Sequence, residues 1–440
     1  MNRSPPIEVN VQSDQSEPAH DDSPGDSSST GEPVSRFFPY PAALLALTIS
    51  AFAIGTNEFI IVGLLTPIGT DLGVTVATAG LLVSLYALAV AFGAPVITGL
   101  ASRVGRRKLL LSLMGLFVAG NVVAAFAPTY ELLVLARVLT GLAHGVFFAI
   151  GSTIAVDIVR KERESSAVAI MFAGLTVATA TGVPLGTYIG QSFGWRTTFW
   201  AIVLLGLIGF VSSWVLLPRD LENKEQGSFA DQLSALLEGQ ILLVLAMTAI
   251  GYGGTFVAFT YLEPILREIS GFEPATVSAL LVLYGAGVFV GNLGGGKLSD
   301  RFGAVQTLVG LFAVQAVVLA AFTFTASDPT WSIVTVFLLG VVGFANVPPL
   351  QTYVVNKAER LAPEAVNVVS GLNIGAFNVG IAVGAYVGGW VTEGGNGLSL
   401  VDTPWIGALF VVGGLSLTVV SWLLDRRQSS SKTTSVVTSD

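Results

Sequence analysis

Twelve stretches of about 20 mostly apolar residues, separated by short polar or Pro/Gly-rich breaks, dominate this chain. They lie near residues 40–64, 77–99, 108–127, 130–156, 166–188 and 198–217, and then 241–263, 275–296, 303–326, 331–353, 367–390 and 405–424. A backbone N–H or C=O left unpaired in hydrocarbon costs several kcal/mol, so such a segment is stable there only as an internally bonded helix. The pattern predicts an all-α membrane protein with twelve transmembrane helices. Composition agrees: 52% of the 440 residues are apolar and 11% are charged, against about 25% charged in soluble proteins. There is no cysteine, and His20 and His144 are the two histidines. Disulfides, thiolate metal sites and His-rich metal centres are thereby excluded. A formal charge of −8 argues against a nucleic-acid partner. The expected partners are the lipid bilayer and a small-molecule substrate. No cofactor or metal is implied, and the chain is expected to act as a monomer.

Placement of Lys and Arg orients the spans. Arg196 and Arg267 fall in loops on one side and Arg137 falls within a span; every other basic residue falls on the opposite side. Basic loops stay inside, so both termini are expected in the cytoplasm. Residues 1–37, rich in Ser, Pro, Asp and Glu, read as a disordered acidic cytoplasmic tail. They lack the basic n-region of a signal peptide, and the first apolar segment is long enough to span and remain. Residues 218–240 form a polar linker in mid-chain. Phe229, Leu233, Leu236 and Leu237 recur there at helical spacing, so the linker reads equally as a helix on the membrane surface or as a plain charged connection. Residues 426–440 form a polar cytoplasmic tail.

The two halves are related. A constant shift aligns Ala77-Thr78 with Ala275-Thr276, Tyr86 with Tyr284, Gly93 with Gly291, Arg103 with Arg301 and Gly105 with Gly303. Thr66-Pro67-Ile68 recurs as Glu263-Pro264-Ile265 at nearly the same offset. Residues 38–217 and 241–425 are therefore expected to form two like-oriented six-helix bundles. A substrate cavity then lies at their interface near mid-membrane, and the bundles rock about it.

The loop Gly296-Lys297-Leu298-Ser299-Asp300-Arg301-Phe302-Gly303 resembles the loop signature of the major facilitator superfamily. The first half carries Gly99-Leu100-Ala101-Ser102-Arg103-Val104-Gly105-Arg106-Arg107, with Ser102 where the family usually has Asp. Arg137-Val138-Leu139-Thr140-Gly141 resembles the family's Arg-x-x-x-Gly motif, and Gly182-Val183-Pro184-Leu185-Gly186 is similar to the glycine-proline motif of its antiporters. With Gly55-Thr56-Asn57-Glu58-Phe59 and Gly141-Leu142-Ala143-His144-Gly145, the match points to the twelve-span drug:proton antiporters. The arabinose-efflux-permease-like subgroup looks nearest. The resemblance implies alternating access, a gate at Gly182, Pro184 and Gly186, and a conformational lock at Asp300 and its basic neighbours.

Charges within the hydrocarbon are costly and hence functional candidates. Glu58 lies about six residues, near 9 Å, from the outer end of its span, and Arg137 sits at a similar depth. The shifted positions hold Phe256 and Thr335, so the halves differ where these charges sit. Burial favours a protonated carboxylate and a neighbouring guanidinium favours an ionised one. Alternating contact with Arg137 would thus load and unload a proton on Glu58; a static ion pair is the simpler alternative. Arg137, Gly141 and His144 share one helical face, where His144 is either a proton relay or an interhelical hydrogen bond. Asn57, Tyr86, Tyr252, Tyr284, Asn292, Asn346, Asn373 and Asn378 are candidates to line the cavity, each equally explained by a bond between helices.

Other function classes find no support. Neither a nucleophile–base grouping nor a phosphate-cradling Gly-Lys-Ser/Thr motif is present, which excludes a membrane enzyme and ATP-driven pumping by this chain. The tails are too short for a receptor's reporting domain. Proton-gradient-driven efflux of a neutral or amphipathic solute, such as a drug or sugar, is the expectation. Import by a symporter or facilitator of the same fold is the alternative.

Overall fold

The computed structural model describes residues 40–100, 104–160, 163–219, 221, 238–395 and 397–437. The tail expected over 1–37, most of the 218–240 linker with its four apolar residues, and the loop residues Ser102 and Arg103 lie outside the described residues. Pro39–Asp440 form one compact unit. Among the described residues there is no strand, and 12 helices are long and apolar enough to cross a membrane.

Spans 1 to 6 are Ala42–Gly63, Val76–Gly93, Arg106–Phe126, Tyr130–Asp157, Ser166–Phe193 and Trp195–Leu216. Spans 7 to 12 are Gly239–Ile269, Pro274–Phe302, Ala304–Thr325, Pro329–Leu361, Val368–Thr392 and Leu400–Arg426. Several helices outrun their apolar windows. Span 10 continues past residue 353 because its polar end finds partners: Lys357 Nζ donates to Asp425 Oδ1 of span 12 and to Gln240 Oε1 of span 7, each at 2.7 Å. The last helix carries its backbone on to Val437.

Each half is assembled alike. Span 1 packs on spans 5 and 6, as span 7 packs on 11 and 12; spans 2 and 4 pair as 8 and 10 do. Between halves, span 2 meets span 11 and span 5 meets span 8, which are equivalent contacts under the repeat. Glycine sets the spacing of these pairs. Gly182, Gly186 and Gly190 of span 5 abut Thr56, Ile60 and Leu64, and Gly380, Gly384 and Gly388 of span 11 abut the backbone of Ala249, Gly253 and Val257. Small residues every fourth position let backbones approach to near contact. These glycines correspond under the same shift as the earlier matches, an additional signature of duplication. Similarly, a Cβ on Gly141 would meet the Tyr86 carbonyl at 2.7 Å, and one on Gly340 would meet the Tyr284 carbonyl. The spatial counterpart of Arg137 is therefore Val336, one residue beyond Thr335. It is uncharged all the same.

Candidate functional site

Span 1 ends its α-helix at Phe59 and tightens into a 3-10 turn over Ile60–Gly63. The last four carbonyls of an α-helix lack partners within it, and those of Asn57 and Glu58 are among them. Arg137 supplies the donors from span 4. Its Nη1 donates to the Asn57 carbonyl at 2.6 Å and its Nη2 to the Glu58 carbonyl at 3.1 Å. Its Nε reaches the Leu82 carbonyl of span 2 at 3.4 Å. The guanidinium carbon lies 3.9 Å from the centre of the Tyr86 ring, and the Tyr86 hydroxyl lies 3.0 Å from Nδ1 of His144. Asn57, Glu58, Tyr86, Arg137 and His144 are all buried. The structure thus gathers all three proposed proton-coupling residues and two cavity candidates.

A static ion pair is not what holds them. Among the described residues Glu58 has no cationic partner within 4.0 Å and its carboxylate accepts no hydrogen bond. The guanidinium is instead occupied by carbonyls, and the carboxylate has Arg137, Tyr86 and Tyr252 as its electrostatic neighbours. The Asn57 amide lies near the Tyr86 hydroxyl yet outside hydrogen-bonding geometry. Gly141 and Gly145 press this face of span 4 onto the carbonyls of Tyr86 and Val90. The Arg/Gly/His face accordingly looks into span 2, and His144 forms the interhelical bond.

Beside Glu58, Phe59 begins an aromatic cluster that joins the halves. Its ring stacks on Phe256 at 6.1 Å and meets Phe259 and Phe344 edge-on. Tyr252 packs edge-on against Phe344 and Phe377, and Tyr284 stacks on Phe259 at 4.5 Å. The Tyr284 hydroxyl is buried without a hydrogen bond. Tyr252 and Tyr284 therefore sit where the interface cavity was expected, and the cluster is closed around them.

The asparagines divide. Asn346 donates to Gln315 at 2.8 Å, and Gln315 in turn donates to Thr255. Asn373 donates to Gln351 and accepts from Thr248. These two tie spans 7, 9, 10 and 11 together. Asn378 donates within its own helix and leaves its oxygen unpaired, whereas Asn292 is half-buried with no described hydrogen bond.

The glycine-proline motif interrupts the regular α-helix of span 5 with a π-helical turn at Ala178–Gly182, followed by a helix with Pro184 in its first turn. Proline cannot donate to the carbonyl four residues back and its ring crowds it, so the turn widens. Gly182 and Gly186 face span 1. The opposite half is met instead by Thr179 and Ala180, against Gly285, and by Gln191, which accepts from Ser278 at 3.2 Å.

In the loops, Gly303 has φ of 86°, a left-handed turn between spans 8 and 9 that favours glycine. Gly105 precedes span 3, where buried Arg106 pairs with Asp157 of span 4. Gly296 faces Pro348. Asp300 and Arg301 are exposed and make no ion pair with another described residue; Arg301 lies over the Phe302 ring.

Two polar groups were overlooked in the sequence: buried Glu263, which accepts from Thr66, and the Lys357–Asp425 pair. Glu263 carried a signal, because it replaces Thr66 in the repeated Pro-Ile motif.

The sequence profile of the Major Facilitator Superfamily matches residues 47–372. The chain belongs to this superfamily. Among superfamily relatives, a Bacillus subtilis protein named Uncharacterized MFS-type transporter YtbD is 51% identical over 88% of this chain and 96% of its own. Putative transporter AraJ of Escherichia coli K12 is 32% identical over 82% and 90%, in keeping with the arabinose-efflux-permease-like subgroup. The Chloramphenicol resistance protein of Streptomyces lividans is 34% identical over 79% and 88%. The chain is thus a multi-pass membrane transporter and not an enzyme.

Proposed function

We propose that this transporter exports a small neutral or amphipathic solute across the cell membrane in exchange for protons, as a monomer with both termini in the cytoplasm. One observation carries the reading: Glu58 is buried at the junction of spans 1, 2 and 4 with no bonding partner among the described residues, beside a guanidinium held by two carbonyls. A proton neutralises Glu58 and leaves Arg137 on span 1's carbonyls. When the proton leaves, the carboxylate draws the guanidinium toward itself and releases the end of span 1. The aromatic wall from Phe59 to Tyr284 suits a solute with an apolar ring, and the chloramphenicol-resistance relative makes chloramphenicol the first probe.

The test is growth of an efflux-deficient bacterium on chloramphenicol, and transport in vesicles carrying an imposed pH gradient. Resistance that an uncoupler abolishes supports export, whereas accumulation would favour import. Glu58→Gln should retain binding and lose coupling to the gradient. Full coupling in that variant refutes Glu58 as the carrier.

A further inference from the structure

Glu263 lies near the end of span 7, at the end of the bundle that carries the loops 1–2 and 7–8, and is 0% exposed. Its Oε2 accepts from the Thr66 hydroxyl at 2.7 Å and from the Thr66 backbone N–H at 3.3 Å. Its Oε1 accepts from Arg267 of its own span at 3.1 Å. Thr66 belongs to the other half. Hydrogen bonds to an ionised acceptor are roughly twice as strong as neutral ones. This contact also joins the two copies of one motif, Thr66-Pro67-Ile68 and Glu263-Pro264-Ile265. Positions equivalent under a two-fold axis can meet only near that axis, so separating the halves at this end must break the contact. Among the described residues, the other cross-half bonds, Ser278 to Gln191 and, deeper, Ser84 to the Ala382 carbonyl, join neutral groups.

We infer that Glu263 is the latch that keeps this end of the transporter shut. Closure gives the carboxylate two donors from the first half; opening leaves it with Arg267 and water. The two copies of the motif hold Thr66 and Glu263 at the equivalent position, so the clasp is single and asymmetric. The latch requires only that the halves move about each other. It is independent of proton coupling and of transport direction.

The chain lacks cysteine, so paired spin labels can be introduced without background. Labels at Thr70→Cys and Glu273→Cys, both exposed, report the latched end by double electron–electron resonance in detergent. Labels at Lys108→Cys and Lys297→Cys, also exposed, report the opposite end. Glu263→Gln and Thr66→Val should each raise the ratio of long to short distances at the latched end by about tenfold. The opposite end should shorten in step. Thr66→Ser, which keeps the hydroxyl, should hold the parental ratio. Thr66→Val carries the test if Glu263→Gln does not fold. Unchanged distances overturn the latch, and so does lengthening at both ends, which marks general loosening. Neither result bears on whether Glu58 carries protons, which the vesicle assay reads separately.

Discussion

Arg137→Lys separates charge from shape at the buried cluster. Lysine keeps a cation near Glu58 but cannot reproduce the fork that serves two carbonyls. The bonds at 2.6 and 3.1 Å to Asn57 and Glu58 are the substantial ones; that to Leu82, at 3.4 Å, adds little. A hydrogen bond to a charged group is worth about 1.5–3 kcal/mol, and Lys should lose one of the two. Part of the cation–π contact with Tyr86, worth about 0.5–2 kcal/mol, goes with it. Arg137→Lys should therefore cost about 2–4 kcal/mol of stability. Arg137→Met strands both carbonyls and should cost more, about 3–5 kcal/mol, even after relief of a buried charge. Unfolding in an SDS titration, followed by the fluorescence of the 7 tryptophans, measures both. A lysine variant within about 0.5 kcal/mol of the parent would show that the fork does not anchor span 1, and would remove the structural half of the coupling mechanism.

Two further outcomes follow from charge placement. Lys357 is 0% exposed and Asp425 17%, so removing the carboxylate strands a buried ammonium whereas removing the lysine leaves a partly hydrated anion beside Arg360. Asp425→Ala should cost about 3–5 kcal/mol and Lys357→Met about 1–2 in the same titration; the reverse order would refute the assignment. Asp71, between spans 1 and 2, is held below the ordinary aspartate value by its hydrogen bond from Arg196 and, secondarily, by that from Trp195. Its contribution is complete above the ordinary value near pH 4 and is lost as pH falls through the lowered one. The side chains are 35% and 48% exposed, which limits it to about 1 kcal/mol. Asp71→Asn should be less stable than the parent at neutral pH and converge with it in acid; a gap that widens in acid would refute the pairing.

The spans, the duplication and the neighbourhood of Glu58 were legible because each rests on periodicity or on the high cost of charge in hydrocarbon. What Arg137 bonds to was not. That depends on where span 1 stops being an α-helix, and the apolar run Phe59-Ile60-Ile61-Val62 gives no sign of the stop. Glu263 was missed for the opposite reason. It is the last residue of its apolar window, 241–263, and was read only as part of the repeated motif, although the helical segment continues through Ile269. Asn346 and Asn373 could not be sorted from Asn378 in sequence, since only the fold brings Gln315, Gln351 and Thr248 to the first two.

The glycine ladder between spans 7 and 11 also limits how this carrier can change shape. With Gly380, Gly384 and Gly388 seated on consecutive turns of the facing backbone, axial sliding of one helix along the other would take each glycine out of its seat and bring bulkier side chains against that backbone. Shear between these two helices is thereby opposed. The pair is built to tilt as a single plank, which directs relative movement toward the seams where span 2 meets span 11 and span 5 meets span 8.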